Sequence, residues 1–177
     1  MLSGIDALEL PKSEADVVAL VREGNASPYI GQLTREEIEH WLTVKTIRFF
    51  YRDATLVGFG AWDKIDADWC EIGPFYSLGA FRGQGLGTQI VGTLVTLNSS
   101  LNQYAVTKNP VARKLFTRFN FRQVGILALP WPIIRHLLGR VSFGRAVNLG
   151  RKFSLDPVTH YLKERRVSGQ YSDADDI

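Results

Sequence analysis

Cysteine and long apolar runs are both scarce in this sequence of 177 residues. Because Cys70 is its single cysteine, no internal disulfide can form, which is typical of proteins in a reducing compartment. The longest nearly apolar run, residues 124–134, contains two prolines and is too short to span a bilayer. The first residues also lack the basic start and apolar core of a secretory signal peptide. We therefore expect a cytoplasmic protein with no membrane span.

Acidic side chains are missing from residues 72–155, although this stretch carries 11 Lys and Arg residues. Residues 1–71 carry 13 acidic and 7 basic side chains, so the net charge of +3 hides an uneven distribution. A basic stretch of this length without a carboxylate favours a polyanionic ligand or partner. A solvated basic face would also explain it, and binding of a nucleic acid by residues 82–152 is a less favoured interpretation.

The histidines of the sequence also lack the regular spacing of metal ligands. Three histidines are scattered along the chain: His40, His136 and His160. We therefore predict no metal site.

Because 45% of the residues are apolar and no repeat is visible, the chain can bury one sizeable core. We expect a single domain over residues 1–167, in which 130–167 form an extension, and a disordered acidic tail at 168–177.

Local sequence patterns alternate between strands and helices. Ser13 and Thr34 are predicted to cap two helices, and Glu37 completes a capping box in the second. Apolar residues at steps of three and four predict a helix over 86–97. The other predicted elements are strands at 4–10, 46–53, 54–66, 67–78, 102–107, 121–129 and 146–155, a helix at 109–119 and one or two helical turns at 133–138. This order predicts an α/β (α+β) fold with helices on the faces of a sheet.

A glycine-rich motif, "FRGQGLG" at residues 81–87, directly follows a strand-like run. Glycine tolerates positive φ, so such a loop can turn backbone NH groups toward phosphate oxygens. A nucleoside triphosphate P-loop needs Lys and then Ser or Thr after its last glycine, and a dinucleotide fingerprint needs G-x-G-x-x-G. Neither pattern is present, so the motif predicts a different phosphate-bearing ligand.

Three features follow one another in the chain. They are the strand "CEIGPFYSL" at 70–78, the motif Arg82-x-x-Gly85-x-Gly87 that opens a helix, and the pattern A-x-x-L-F-x-x-x-x-F from Ala112 to Phe121. In this order they resemble the GNAT superfamily of acyl-CoA-dependent N-acetyltransferases, and the resemblance covers roughly residues 45–129. It implies a mixed, mostly antiparallel central sheet of six or seven strands flanked by about four helices.

The resemblance implies that the acyl donor acetyl-CoA binds at the glycine loop. In the family, backbone NH groups at the start of the helix wrap the pyrophosphate, which agrees with the unpaired donors and positive dipole end of a helix N-terminus. The pantetheine arm is expected between the fourth and fifth strands. The implied donor site comprises Phe75, Ser77, Arg82, Gly83, Gln84, Gly85, Leu86, Gly87, Thr88, Asn109, Ala112 and Phe116.

Glu71 is the candidate general base. An amine with a pKa near 10.4 is mostly protonated at pH 7, so freeing its lone pair costs roughly 4–5 kcal/mol. Glu71 lies on the strand whose end would meet the thioester, where the histone-modifying branch of the family has its catalytic glutamate. We expect it to be buried beside Trp69 and Phe75, which would make the carboxylate a stronger base. A strand carboxylate that faces solvent or an arginine is the alternative.

The general acid expected from the family is missing. Many members protonate the leaving thiolate with a tyrosine at the position that Phe116 occupies here. Tyr76, Tyr104 or water would therefore have to supply that proton. Cys70 should leave the strand on the face opposite Glu71, so a covalent acyl-cysteine route is not favoured.

The predicted reaction moves an acetyl group from acetyl-CoA to a primary amine of a small molecule or a protein, by direct attack with general-base assistance. Asp63, Asp66 and Asp68 lie close to Glu71 in the sequence and would attract a cationic amine, although turn aspartates also arise for local backbone reasons. A module that binds acyl-CoA without turnover is one alternative, and nucleic-acid binding through residues 82–152 is the other.

Overall fold

A computed structural model describes residues 4–30, 33–140 and 158–165 of the chain. Its strands are β1 (Ile5–Leu8), β2 (Ile47–Arg52), β3 (Thr55–Lys64), β4 (Trp69–Ser77), β5 (Asn102–Thr107), β6 (Arg122–Val124) and β7 (Thr159–Lys163). Its α-helices are α1 (Glu14–Ala26), α2 (Arg35–Thr43), α3 (Leu86–Leu97), α4 (Pro110–Arg118) and α5 (Trp131–Arg140). Two short 3₁₀ turns span Gly79–Phe81 and Ile126–Ala128. Among these described helices, none is long and apolar enough to cross a membrane.

The strands form one sheet of seven in the order β1-β2-β3-β4-β5-β7-β6. Neighbouring strands are antiparallel except β4 and β5, which run parallel. The predicted fold class, a mixed and mostly antiparallel sheet of six or seven strands with flanking helices, is confirmed. The described residues form five helices where about four were expected, because α5 is a full helix of 10 residues and not one or two turns.

The predicted helix starts are confirmed by their hydrogen bonds. The side chain of Ser13 accepts from the backbone N–H of Asp16, and that of Thr34 accepts from the N–H of Glu37. Both N3 carboxylates return a bond to the N–H of the cap residue, so each helix opens with a complete capping box. These bonds fix the starts of α1 and α2 between β1 and β2, and the two helices pack together on one face of the sheet.

The two faces of the sheet have separate apolar cores. Helices α3 and α4 cover one face, where Ile72 packs with Ile90 and Leu94. Helices α1 and α2 cover the other face, where the core includes Phe59. Gly60 lets α3 approach closely, because a Cβ atom there would lie 2.8 Å from side-chain atoms of both Ile90 and Leu94. A third core, beside β5, β7 and β6, holds the inner face of α5.

Near the C-terminal end, one predicted strand is shorter than expected and one strand was not predicted. The strand expected over 121–129 is only Arg122–Val124, because the chain turns at Gly125 into a 3₁₀ turn. The strand β7 (Thr159–Lys163) was not predicted, and it inserts between β5 and β6. The strand expected at 146–155 and the tail expected at 168–177 lie outside the described residues.

Candidate functional site

β4 and β5 share hydrogen bonds over three residue pairs and then separate. The pairs run from Trp69 with Asn102 to Glu71 with Tyr104, whereas β4 continues to Ser77 and β5 to Thr107. A cleft of about 700 Å³ opens where the strands diverge. Ten of the predicted site residues line it: Glu71, Phe75, Tyr76, Ser77, Arg82, Gly83, Gly87, Asn109, Ala112 and Phe116. The parallel strands therefore bring residues from both sequence motifs to one cavity.

A bulge in β4 decides which side chains share a face. Ile72 pairs with Trp62 and Phe75 pairs with Gly60, so two residues of β4 lie opposite one residue of β3. This extra residue breaks the alternation and places Glu71 on the face that carries Tyr76, while Ile72 and Phe75 pack toward α3 and α4. The expectation that Glu71 lies beside Phe75 is therefore wrong, because the bulge turns the two side chains to opposite faces.

The glycine loop ends at the start of α3. Gly83 and Gly85 have φ values of 78° and 77°, in the left-handed region that favours glycine. Gly85 is the N-cap of α3, and its carbonyl accepts from the N–H groups of Thr88 and Gln89. The first N–H groups of an α-helix have no partner within the helix, and the helix dipole is positive there. The loop therefore offers a site for an anionic group at the mouth of the cleft.

Side-chain contacts hold this loop against the sheet. Arg82 donates from its guanidinium to the hydroxyl of Tyr76 and lies over the same ring. Arg52 of β2 donates to the side-chain carbonyl of Gln84, at 2.7 Å. Gln84, Gly85, Leu86 and Thr88 of the predicted donor site belong to this loop and to the first turn of α3, next to the residues that line the cleft.

The opposite wall of the cleft comes from α4. The side chain of Asn109 accepts from the N–H of Val111 at 2.9 Å and so caps the helix. Ala112 and Phe116 follow on the buried side of α4. The ring of Phe116 meets that of Phe75 edge to face, with centroids 5.8 Å apart. This wall is apolar, and Phe116 brings no hydroxyl to it.

Glu71 is buried between β3, β5 and α5. Its side chain is 7% exposed, and His136 Nε2 of α5 lies 2.8 Å from its Oε2 atom. Asp63 is its cross-strand neighbour on β3. A buried carboxylate is costly unless hydrogen bonds satisfy it, and the imidazole supplies one. The alternative of a solvent-facing carboxylate is therefore wrong for Glu71, and the imidazole of His136 is one of its partners.

Cys70 lies on the other face of β4, as predicted. It is fully buried in the core beside α3 and α4. Burial, together with the nearby charge of Glu71, raises the pKa of the Cys70 thiol to about 12. The thiol is therefore protonated at neutral pH and is not suited to act as a nucleophile.

Tyr104 does not reach the cleft. It is fully buried, it packs in the third core near α5, and its hydroxyl lies 2.8 Å from Nδ1 of His160 on β7. Burial lowers the pKa of His160, and the negative charge of Glu71 partly offsets this effect. The strand β7 thus joins Tyr104 to a histidine, a contact that the sequence did not indicate.

The acidic residues near Glu71 have different surroundings. Asp66 accepts from the backbone N–H groups of Asp68 and Trp69, both at 2.8 Å, and so fixes the turn before β4. Asp68 is 3.2 Å from Arg165. Asp63, in contrast, accepts from the indole N–H of Trp41 at 2.8 Å and lies beside Glu71.

A second cleft of about 700 Å³ lies beyond Trp41. It is lined by Glu36, Glu37, His40, Trp41, Val44, Thr46, Asp63, Lys64 and His136. Glu37 and Trp41 line both clefts. Glu71 lines the first cleft and His136 lines the second. The contact between these two side chains therefore connects the two clefts.

His136 is the residue of this site that sequence reasoning missed. It lies 65 positions from Glu71, and the only local signal around it was a short apolar helical pattern. Nothing in that pattern indicates which polar group of α5 meets the sheet. Among the described residues, no group of three or more His, Cys, Asp or Glu side chains could hold a metal ion.

Comparison with protein families gives one match. Residues 18–121, more than half of the chain, match the family model described as the acetyltransferase (GNAT) family. No curated protein matches the chain in sequence.

Solved structures share the fold at low sequence identity. N-acetylglutamate synthase from Neisseria gonorrhoeae, complexed with coenzyme A and N-acetyl-glutamate, has a TM-score of 0.71 at 13% identity over 94% of this chain and 36% of its own. Rv2747 from Mycobacterium tuberculosis, in complex with CoA, has a TM-score of 0.69 at 14% identity over 92% of this chain and 99% of its own. The ribosomal-protein-S18-alanine N-acetyltransferase from Escherichia coli has a TM-score of 0.63 at 9% identity over 94% of this chain and 97% of its own. This chain spans about a third of the synthase chain.

Proposed function

Since this chain belongs to the acetyltransferase (GNAT) family, we propose that it transfers an acetyl group from acetyl-CoA to a primary amine. The observation that carries the proposal is the separation of β4 from β5. The cleft so formed has the glycine loop at its mouth and Glu71 at the last shared residue pair. A single extended donor can therefore reach from an anion-binding loop to a buried carboxylate.

The donor lies along this cleft. Its pyrophosphate binds the backbone N–H groups around Gly83 and Gly85, and Arg82 adds a positive charge. The pantetheine arm lies along the part of β4 that no longer pairs with β5, at Phe75 and Ser77, with Asn109 on the other side. The apolar wall of Phe75 and Phe116 supports the arm beyond the phosphates.

Glu71 acts as the general base. It removes a proton from the incoming ammonium group, so that the neutral amine attacks the thioester carbon. Its position favours this role because the carboxylate lines the cleft at the last residue pair shared by β4 and β5, where the strands diverge. The neighbouring carboxylate of Asp63 strengthens the preference for a cationic acceptor.

Tyr76 or water protonates the leaving thiolate. Phe116 has no acidic group, and the hydroxyl of Tyr104 lies 2.8 Å from His160 outside the cleft. Tyr76 lines the cleft, and its hydroxyl accepts from Arg82 and keeps its own proton to donate. A thiol has an ordinary pKa of about 8.5, so its thiolate needs far less help to leave than an alkoxide would.

An α-amine is the favoured class of acceptor. Among the structural relatives, one synthase is complexed with N-acetyl-glutamate and another enzyme acts on the alanine of a ribosomal protein. Both names point to an α-amino group, of a free amino acid in one case and of a polypeptide in the other. A small amino acid or a peptide N-terminus is therefore the first acceptor to test.

The experiment has two stages. Calorimetric titration with acetyl-CoA and with free CoA tests the donor site. Release of CoA thiol is then measured with L-glutamate, a peptide that begins with alanine and spermidine, for the wild type and for Glu71→Gln. We expect the protein to bind both acetyl-CoA and free CoA, and the wild type to release thiol only when an amine is present. Glu71→Gln should turn over about 100-fold more slowly, with unchanged affinity for acetyl-CoA. Binding without turnover on any amine would instead support a non-catalytic acyl-CoA module.

A further inference from the structure

The proposed reaction leaves one proton to be removed in each turnover. An ammonium nitrogen carries two more protons than the amide nitrogen that it becomes. As the new carbon–nitrogen bond forms and the carbon–sulfur bond breaks, one of these protons ends on the sulfur of CoA. The other is accepted by Glu71, whose side chain is 7% exposed. A second turnover therefore needs a route by which Glu71 returns this proton to water.

His136 lies on such a route. Its Nε2 atom is 2.8 Å from Oε2 of Glu71, and its side chain is 19% exposed. It lines the second cleft, whereas Glu71 lines the first. The imidazole thus contacts the buried carboxylate with one nitrogen while its ring borders a different opening from the one in which the donor is proposed to bind.

We propose that His136 is a positioning residue that holds Glu71 and relays its proton to water through the second cleft. This inference rests on the proposed function. At rest Nε2–H of the neutral imidazole donates to the Glu71 carboxylate. Once Glu71 is protonated, proton exchange with water in the second cleft moves the ring proton to Nδ1, and Nε2 then accepts the proton from the Glu71 carboxyl. Release of the Nδ1 proton to water in the same cleft restores the starting tautomer. No electrons are transferred, and the carboxylate is restored as the base for the next ammonium group.

The other polar groups around Glu71 are placed less well for this role. Asp63 of β3 would carry a negative charge beside the carboxylate and accepts the indole N–H of Trp41. Tyr104 of β5 is fully buried, and its hydroxyl is bonded to His160 of β7. Tyr104 itself lies in the third core. His136 combines a direct contact with Glu71 and access to a cleft.

The test compares three variants of the full chain in the thiol-release assay, with the best amine from the panel. His136→Ala removes both the contact and the relay. His136→Gln keeps an N–H donor near the position of Nε2 but cannot carry a proton. His40→Ala is the matched control, because His40 lines the same cleft from α2 and is exposed. Thermal unfolding of each variant checks that it is folded.

The relay predicts a specific set of results. His136→Ala and His136→Gln should both lower kcat by about 10-fold or more, with KM for acetyl-CoA changed by less than about twofold. Added imidazole should restore a large part of the rate to His136→Ala, because it can occupy the space of the ring and take the proton. His40→Ala should behave like the wild type.

A spectroscopic measurement tests the contact without turnover. Long-range nitrogen–proton correlation spectra of the histidine rings report the tautomer and hydrogen bonding of each one. Replacing Glu71 by Gln should change the Nε2 resonance of His136 and leave the resonances of His40 as they were. Unchanged His136 resonances would show that the two side chains do not meet, and the inference would be wrong.

The outcomes separate the inference from the function on which it rests. If the wild type releases CoA and Glu71→Gln is slow, but the His136 variants turn over normally, the relay is wrong and the acetyltransfer stands. A normal rate for His136→Gln alone would also overturn the relay, because a hydrogen bond would then suffice. Wild-type protein that binds acetyl-CoA but acylates no amine in the panel would overturn both.

Discussion

Substitution of Gly85 should separate donor binding from overall stability. Gly85 has φ 77° and ψ −1° at the N-cap of α3, and the N–H groups of Thr88 and Gln89 bond to its carbonyl. A residue with a Cβ atom pays about 1–2 kcal/mol in this left-handed conformation, and a β-branched residue pays more. For a chain of this length, a loss of 1–2 kcal/mol lowers Tm by roughly 2–8 °C. Gly85→Val should therefore remain folded at room temperature.

The effect on donor binding should be larger. If Gly85→Val abandons the left-handed conformation, at least two backbone N–H groups no longer point at the pyrophosphate. Hydrogen bonds to a charged group are worth about 1.5–3 kcal/mol each, so the affinity for CoA should fall by about 100-fold or more. Calorimetry measures the affinity, and thermal unfolding measures the stability.

Two further variants make this reasoning testable. Asn tolerates left-handed φ better than other residues with a side chain, so Gly85→Asn should keep most of the affinity. Gly125→Ala is the matched control, because Gly125 has φ −75° and its added methyl group would meet no atom within 4 Å. Equal weakening by Val and Asn would refute the argument from backbone conformation, since added bulk alone would then explain the loss.

Three other predictions concern reactivity, packing and pH. Because burial raises the pKa of Cys70 to about 12, Ellman's reagent should not label the native protein at pH 8, and rapid labelling would contradict the described burial. Gly60→Val should destabilise the fold by about 1–3 kcal/mol in chemical denaturation, because its side chain would overlap Ile90 and Leu94 of α3; an unchanged midpoint would rule out this close approach. Since burial lowers the pKa of His160 below its unfolded value of about 6.5, the neutral ring stabilises the fold above that pH, and the stabilisation is lost as the pH falls through the folded pKa. His160→Gln should flatten the stability profile just below about pH 6.5, and a profile identical to that of the wild type would contradict it.

Local signals predicted much of the fold. The capping boxes at Ser13 and Thr34 depend on residues three positions apart, so the sequence alone indicates where α1 and α2 begin. The glycine motif and the helix after it are local in the same sense. The glycine motif and α4 face each other across the cleft. No local pattern indicates this arrangement, and it was predicted only from the resemblance to a family.

Contacts between distant segments could not be predicted. The bulge in β4 depends on how Ile72 and Phe75 pair with β3, and it reversed the expected facing of Glu71 and Phe75. His136 meets Glu71 because α5 packs on that part of the sheet, 65 residues further along the chain. β7 has only 5 residues and gains its hydrogen bonds from both β5 and β6, so its own sequence gave a weak signal.

The three shared pairs between β4 and β5 have a consequence for motion. They join two half-sheets, β1 to β4 on one side and β5, β7 and β6 on the other. Because the shared pairs are few, we expect the two halves to open about them more easily than strands that pair along their whole length. A donor that forms hydrogen bonds to β4 and also contacts the half that begins with β5 would link the two halves and oppose this opening. Amide hydrogen exchange along Ile72–Ser77 should then slow on addition of CoA, so that occupancy and stiffness of the sheet rise together.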